Sequence, residues 1–276
     1  MSITKEYLFE NYIKLDKSQR QIAQELGTTE STIDYWTRKY KLTYKKSNRD
    51  KVFNLSHIDK TDCIFCYFAG LMATDGYFDY KNNRVSLRVN NLGSYDVLNN
   101  IRNYFGYIRP IRVYNDKDND LTIPNECIFN ELKSMGIFGK KVTRSFSLDW
   151  FNSADYDCKR MFIRGVADGD GHFNPHGGEF VIAMKSRDFI DSLLSVFNSV
   201  CKDVYTVKYY KYSRGNKYPS IHLHKKDTND LFTKIYSGYE KYRFLDKYER
   251  AVSSWRYSLG YWDDKSIEVE DKEPLR

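Results

Sequence analysis

A chain of 276 residues that is 41% hydrophobic and 16% aromatic can build one large packed domain or two modest ones, which excludes a wholly disordered protein. No run approaches the ~20 apolar residues that span a bilayer, and no basic flank with an apolar stretch opens the chain, so a cytoplasmic location is expected. Lys and Arg number 44 against 37 Asp and Glu, and the resulting +7 favours a polyanionic partner.

In chain order, residues 1–45 read as short helices. Ser18 caps a helix with Ile22, Ala23 and Leu26 on one face, and Gly27 ends it. Thr28 or Thr29 caps the next, which carries Ile33, Trp36 and Tyr40 at helical spacing. Two short amphipathic helices joined at a glycine turn make a helix-turn-helix unit. Its second helix leaves Thr29, Ser31, Asp34, Tyr35, Arg38 and Lys39 for the outer surface. Polar, basic residues 46–56 read as a linker.

The rest divides into halves that resemble each other, expected over 57–152 and 153–262, before an acidic tail at 263–276. FAGLMATDGYF from Phe68 aligns with IRGVADGDGHF from Ile163, so Gly70, Asp75, Gly76 and Phe78 fall on Gly165, Asp170, Gly171 and Phe173. Downstream of each motif the order repeats. An alternating strand (84–90, then 179–185) leads to a helix (96–105, then 187–197), extended stretches and a further helix (125–135, then 227–236). Each half is therefore predicted as α-β-β-α-β-β-α, with helices on one face of an antiparallel sheet: an α+β fold.

CIFCYFAGLMA is apolar nearly all round and predicts a fully buried helix. Gly76 and Gly171 are expected to end the paired helices by adopting the left-handed conformation. Asp75 and Asp170 then sit at helix C-termini, where the macrodipole disfavours an anion by roughly 0.3–1 kcal/mol. If the helices pack side by side the acids meet at one end, and two carboxylates about 4 Å apart repel by ~4 kcal/mol at an effective dielectric near 20. A divalent cation relieves that repulsion, and hard cations such as Mg²⁺ take oxygen ligands and phosphates together. Phosphodiester hydrolysis is the chemistry that follows.

Five cysteines without repeating spacing fit a reducing compartment. Cys63 and Cys66 form a CxxC with no second pair to complete a zinc site, and read as buried thiols.

The duplicated segments resemble the LAGLIDADG motif of homing endonucleases, over about residues 57–258. The resemblance implies two pseudo-symmetric halves forming a DNA-binding saddle, with Asp75 and Asp170 as metal-binding, catalytic acids that each serve one strand. It further implies a Mg²⁺-dependent double-strand cut with 3′ overhangs, with Mn²⁺ substituting and Ca²⁺ supporting binding alone. The earlier acid of the motif is Asp168 in the second copy but Ala73 in the first, which puts balanced cutting of the strands in question. Such enzymes also place a lysine or polar side chain near the metals. Lys185 is the candidate here, with Asn90 or Asn91 in the first half.

Strand alternation gathers Arg84, Ser86, Arg88 and Asn90 on one face of the first half, and Thr206, Lys208, Tyr210 and Tyr212 on one face of the second, with Arg214 beyond. His222 and His224, alternating with Ile221 and Leu223, are expected to project from the face opposite the core. Such a surface suits the major groove, and the helix-turn-helix would occupy a neighbouring one, lengthening a long asymmetric target. Both half-sites lie in one chain, so a monomer is expected. The alternatives are a non-cleaving transcription regulator on the same fold and an RNA-splicing maturase. An intein is not expected, because Met1 starts the chain and no His-Asn pair closes it.

Overall fold

The computed structural model describes residues 3–14, 17–40, 42, 58–90, 93–107, 109–114, 118–140, 146–200, 206–211, 217–224 and 226–258. The chain divides into two compact units, Met1–Val52 and Phe53–Arg276.

In the first unit, α1 (Lys5–Leu8) runs into a π-helical turn (Phe9–Lys14), followed by α2 (Gln19–Leu26) and α3 (Glu30–Lys39). Ser18 starts α2 with a complete capping box: Gln21 N–H donates to Ser18 Oγ, and Ser18 N–H donates to Gln21 Oε1. Gly27 ends the helix in the left-handed region at φ 61°, where a side chain would be strained. Thr29, rather than Thr28, caps α3 by accepting from Thr32 N–H. Leu8, Ile22, Ala23, Ile33 and Leu42 form the small core, with Leu26, Trp36 and Tyr40 packed against it.

The second unit holds the repeat. Its first half runs α4 (Cys63–Thr74), β1 (Gly76–Asp79), β2 (Arg84–Val89), α5 (Ser94–Tyr104), β3 (Arg112–Tyr114), β4 (Asp118–Ile123) and α6 (Glu126–Ser134). A short α7 (Leu148–Ser153) leads to the second: α8 (Tyr156–Asp170), β5 (His172–Asn174), β6 (Glu179–Ala183), α9 (Arg187–Val200), β7 (Thr206–Lys211), β8 (Lys217–His224) and α10 (Lys226–Ile235), then α11 (Leu245–Ser258). Each half builds a four-stranded antiparallel sheet of the same topology, β1-β2-β4-β3 and β5-β6-β8-β7. Alternation puts Val85, Leu87 and Val89 into the core and leaves Arg84 and Arg88 open. Among the described residues, no helix is long and apolar enough to cross a membrane.

The halves meet along α4 and α8, both buried over most of their length. Glycines allow that contact. A Cβ on Gly70 would strike the Phe162 carbonyl oxygen and lie 2.9 Å from the Gly165 Cα; one on Gly165 would strike the Tyr67 carbonyl oxygen. The helices thus cross backbone to backbone, running in the same direction.

The expected reason for Gly76 and Gly171 is corrected. Neither is left-handed: Asp75 caps α4 at φ −105°, and Gly171 is extended at φ −70°, ψ 149°. Both are glycine for want of space. A Cβ on Gly171 would lie 2.7 Å from the Phe180 ring, and one on Gly76 would run into Met72.

Candidate nucleic-acid interface and acidic site

Because α4 and α8 are parallel and in register at Gly70 and Gly165, their last residues arrive together. Asp75 is the C-cap of α4 and Asp170 the final residue of α8; both are half-buried. Asp75 Oδ2 lies 3.1 Å from where a Cβ on Gly169 would sit, so the residue before Asp170 is a glycine that makes room for the opposing carboxylate. Two hard oxygen donors at two negative helix ends are an unfavourable arrangement on their own and a fitting one for a divalent cation.

Asp168, two residues away, does something else. It is 0% exposed and accepts from Tyr67 Oη at 2.9 Å, Tyr236 Oη at 2.6 Å and Phe244 N–H at 3.3 Å. Burial pushes its carboxyl up to about 6, opposed by those two tyrosine hydrogen bonds and by the charge of Arg164. Arg164, one turn earlier and also 0% exposed, donates to the carbonyl oxygens of Ile235, Ser237 (3.1 Å), Gly238 (2.8 Å) and Tyr239 (3.0 Å). The pair ties α8 to the segment between α10 and α11. At the matching positions of α4 stand Ala69 and Ala73, so the first half lacks both members rather than the acid alone.

Against the first sheet lies a cavity of about 320 Å³, lined by Asp75, Tyr77, Arg84, Ser86, Arg88, Arg112 and Tyr114. Asp120 and Thr122 from β4 complete it. Thr122 Oγ1 donates to Asp120 Oδ1 at 3.1 Å and lies 3.1 Å from Ser86 Oγ. Arg84 pairs with Asp79 at 2.7 Å, while Arg88 sits 3.8 Å from Asp120 and 4.6 Å from the centre of the Tyr114 ring. The expected trio Arg84, Ser86 and Arg88 is therefore brought together beside Asp75, and Asn90 is exposed just beyond β2. Sequence reasoning overlooked Tyr77, Arg112, Tyr114, Asp120 and Thr122, although the i, i+2 spacing within β3 and within β4 carried the last four.

In the second half Lys185 is exposed in the turn after β6, 5.8 Å from the Tyr218 ring centre. His222 lies on the face opposite Ile221 and Leu223 as expected, yet only 4% of it is accessible, and its Nε2 is 3.2 Å from Ser220 Oγ. The projecting side chain that alternation implied is not found there: period-two patterning assigns a face but not what covers it. Lys208 and Tyr210 take their places in β7, and His224 ends β8 opposite Glu179. Arg214 and Asn91 lie outside the described residues. Beside Asp170, Lys247 of α11 donates to the Gly171 carbonyl at 2.6 Å, and burial, with Arg250 and Lys247 nearby, lowers the pKa of His172.

In the first unit Thr29, Ser31, Tyr35, Arg38 and Lys39 are all exposed. Thr29 is occupied as a cap, with Ser31 Oγ 2.9 Å from its hydroxyl; Arg38 pairs with Asp34 at 2.9 Å, and the Lys39 amine lies 4.3 Å from the Trp36 ring centre.

No protein-family model matches the chain, and no curated protein matches it. Solved structures do. The homing endonuclease I-WcaI bound to its DNA recognition sequence is 13% identical, with 76% of this chain and 92% of that chain aligned at a TM-score of 0.54. I-DmoI in complex with DNA and Mn is 15% identical over 65% of this chain and 99% of that one, TM-score 0.48. The N-terminal LAGLIDADG domain of DUF199/WhiA is 12% identical over 76% and 96%, TM-score 0.45. The α+β fold of this chain is the LAGLIDADG homing endonuclease fold.

Proposed function

We propose that this chain is a site-specific double-strand DNA endonuclease, built from two LAGLIDADG halves in one polypeptide and dependent on a divalent metal. The observation that carries this reading is the delivery of Asp75 and Asp170 to one end of two parallel, glycine-packed helices. I-WcaI, with the same fold, is bound to its DNA recognition sequence, which supports DNA as the ligand of the open sheet faces.

Asp75 and Asp170 would hold Mg²⁺, or Mn²⁺ in its place. Bound metal supplies an activated water and charge stabilisation for the departing 3′ oxygen. The chain's own residues do the rest. Arg88 and Arg112 face the cavity beside Asp75 and neutralise phosphates, positioning the duplex. Ser86, Thr122 and Tyr77 offer hydroxyls to base edges or backbone, and Lys208, Tyr210, Arg214 and His224 are the counterparts proposed for the second half. Lys247 holds the Gly171 carbonyl and so steadies the helix end that presents Asp170. Lys185 is the proposed polar residue near the second acid, and Asn90 that near the first. The first unit is a helix-turn-helix that lengthens the target through Thr29, Ser31, Tyr35, Arg38 and Lys39.

Selection of a target from randomised DNA, followed by cleavage in Mg²⁺, tests this. Asp75→Asn and Asp170→Asn should each lose double-strand cleavage while still binding the selected DNA in Ca²⁺. If both variants cut, the acids are not the site. A parent chain that binds the selected DNA and cuts in neither Mg²⁺ nor Mn²⁺ is a regulator on this fold instead.

A further inference from the structure

At the opposite ends of α4 and α8, the fold assembles a second group of ligating atoms. Cys63 and Cys158 are themselves related by the repeat, each standing five residues before Phe68 or Ile163. Their sulfurs are 3.7 Å apart. The carboxylate of Asp155, the N-cap of α8, lies with both sulfurs inside a 4.8 Å cluster. Cys66, one turn along α4, stands outside that cluster and donates instead to the Lys60 carbonyl at 3.3 Å.

We infer that Cys63, Cys158 and Asp155, with solvent completing the coordination, form a zinc site that clamps the two halves together at the N-terminal ends of their paired helices. Cys63 found no ligating partner nearby in sequence because its partners come from the other half. The spacing fits the ion: two thiolates each about 2.3 Å from a tetrahedral zinc are about 3.8 Å apart. A disulfide would need the same sulfurs at about 2.05 Å.

The electrostatics fit as well. The site sits on two helix N-termini, where partial positive charge favours thiolate and carboxylate. As a thiol Cys158 makes only a weak donor contact, to the Thr61 carbonyl at 2.9 Å. A zinc ion replaces that weak contact with two thiolates and a carboxylate. Trp150 Nε1 also donates to the Lys60 carbonyl, at 3.2 Å, so the loop beneath the thiols is already fixed. Asp155 is exposed and opens the group to solvent. The 12 residues of α4 put about 18 Å between this soft site and the hard carboxylates at the other end, so the two take different ions.

Cobalt titration of the reduced, metal-free full-length chain tests the inference. One equivalent of Co²⁺ should give thiolate-to-metal charge-transfer absorption that Zn²⁺ abolishes, and Zn²⁺ should raise the Tm. Cys158→Ser should lose the absorption; Cys127→Ser and the doubly substituted Asp75→Asn, Asp170→Asn chain should keep it. Asp155→Asn retains an oxygen for the helix cap, so it should fold, and should bind Zn²⁺ at least about tenfold more weakly. A reduced chain with no thiolate absorption, or one whose absorption survives Cys158→Ser, overturns the site. So does Asp155→Asn binding zinc as tightly as the parent.

Discussion

Asp168 and Asp170 stand two residues apart in one helix, and their replacement should have opposite consequences. Asp168→Ala leaves two tyrosine hydroxyls and the Phe244 N–H without their acceptor in a site that water does not reach. It also strips Arg164 of its buried counter-charge. Each orphaned donor costs about 1–3 kcal/mol, and breaking a buried charge arrangement costs about 3–5 kcal/mol. The two figures describe the same loss and do not add, so about 4 kcal/mol is expected, which in a domain of this size lowers Tm by roughly 8–16 °C. Asp170→Asn instead removes an anion from a helix C-terminus, which should stabilise by about 0.3–1 kcal/mol while abolishing double-strand cleavage. Thermal unfolding followed by circular dichroism, paired with cleavage well below either Tm, separates the two. Asp168→Ala should still cut at low temperature. If it leaves Tm within 2 °C of the parent (about the scatter of such a measurement), or if Asp170→Asn lowers Tm as far as Asp168→Ala does, the division into a structural and a functional acid is wrong.

Replacing both Arg164 and Asp168 by alanine recreates Ala69 and Ala73 of the first half, and should cost about 1–3 kcal/mol less than the sum of the single changes; strict additivity in urea unfolding would contradict the coupling. Burial holds the folded-state pKa of Asp168 at about 6, above its ordinary value. The folded chain therefore keeps that proton where the unfolded chain has released it. The stability this gives is complete below about pH 4 and lost as pH rises through about 6. Parent stability relative to Asp168→Asn should fall by about 2–3 kcal/mol from pH 4 to pH 7, and a constant difference would refute the shift. Gly70→Ala should cost about 3 kcal/mol or more and lose cleavage, since the new Cβ meets backbone that cannot give way; near-parental Tm and activity would place the helix crossing elsewhere. Arg88→Ala and Arg112→Ala should each lower the slope of log affinity against log salt by about 0.9, as loss of one phosphate contact requires. An unchanged slope would remove that residue from the interface.

What could be read from sequence was whatever local periodicity and the repeat encode together. Capping by Ser18 and Gly27, the strand alternation around Arg84 and Arg88, and the helix-end position of both acids depend on neighbours within a few residues. The duplicated motif then related the halves. Properties set by distant residues were not legible in the same way. Gly76 and Gly171 look like helix stops, yet their reason is the bulk of Met72 and Phe180. His222 has the alternation of an exposed residue and is covered. Asp168 resembles a third catalytic acid until Tyr67, Tyr236 and Phe244, each remote in sequence, are seen to close over it.

The missing acid at Ala73 shows why such contacts matter for the functional reading. Taken alone, the alanine looks like a lesion in the first half's motif. With Arg164 and Asp168 buried as partners to the segment between α10 and α11, what the first half lacks is a structural pair, and its acid at the helix end is present. The motif thus carries two separable jobs. The middle acid ties α8 to Tyr67 of the other half and to the segment between α10 and α11, and the last one stands at the end of the paired helices. The halves differ in the first job, with Ala69 and Ala73 at the positions matching Arg164 and Asp168, while Asp75 and Asp170 occupy equivalent ends of the paired helices. On the proposed reading, the stability given up at those two negative helix ends is the cost of holding a metal between the halves.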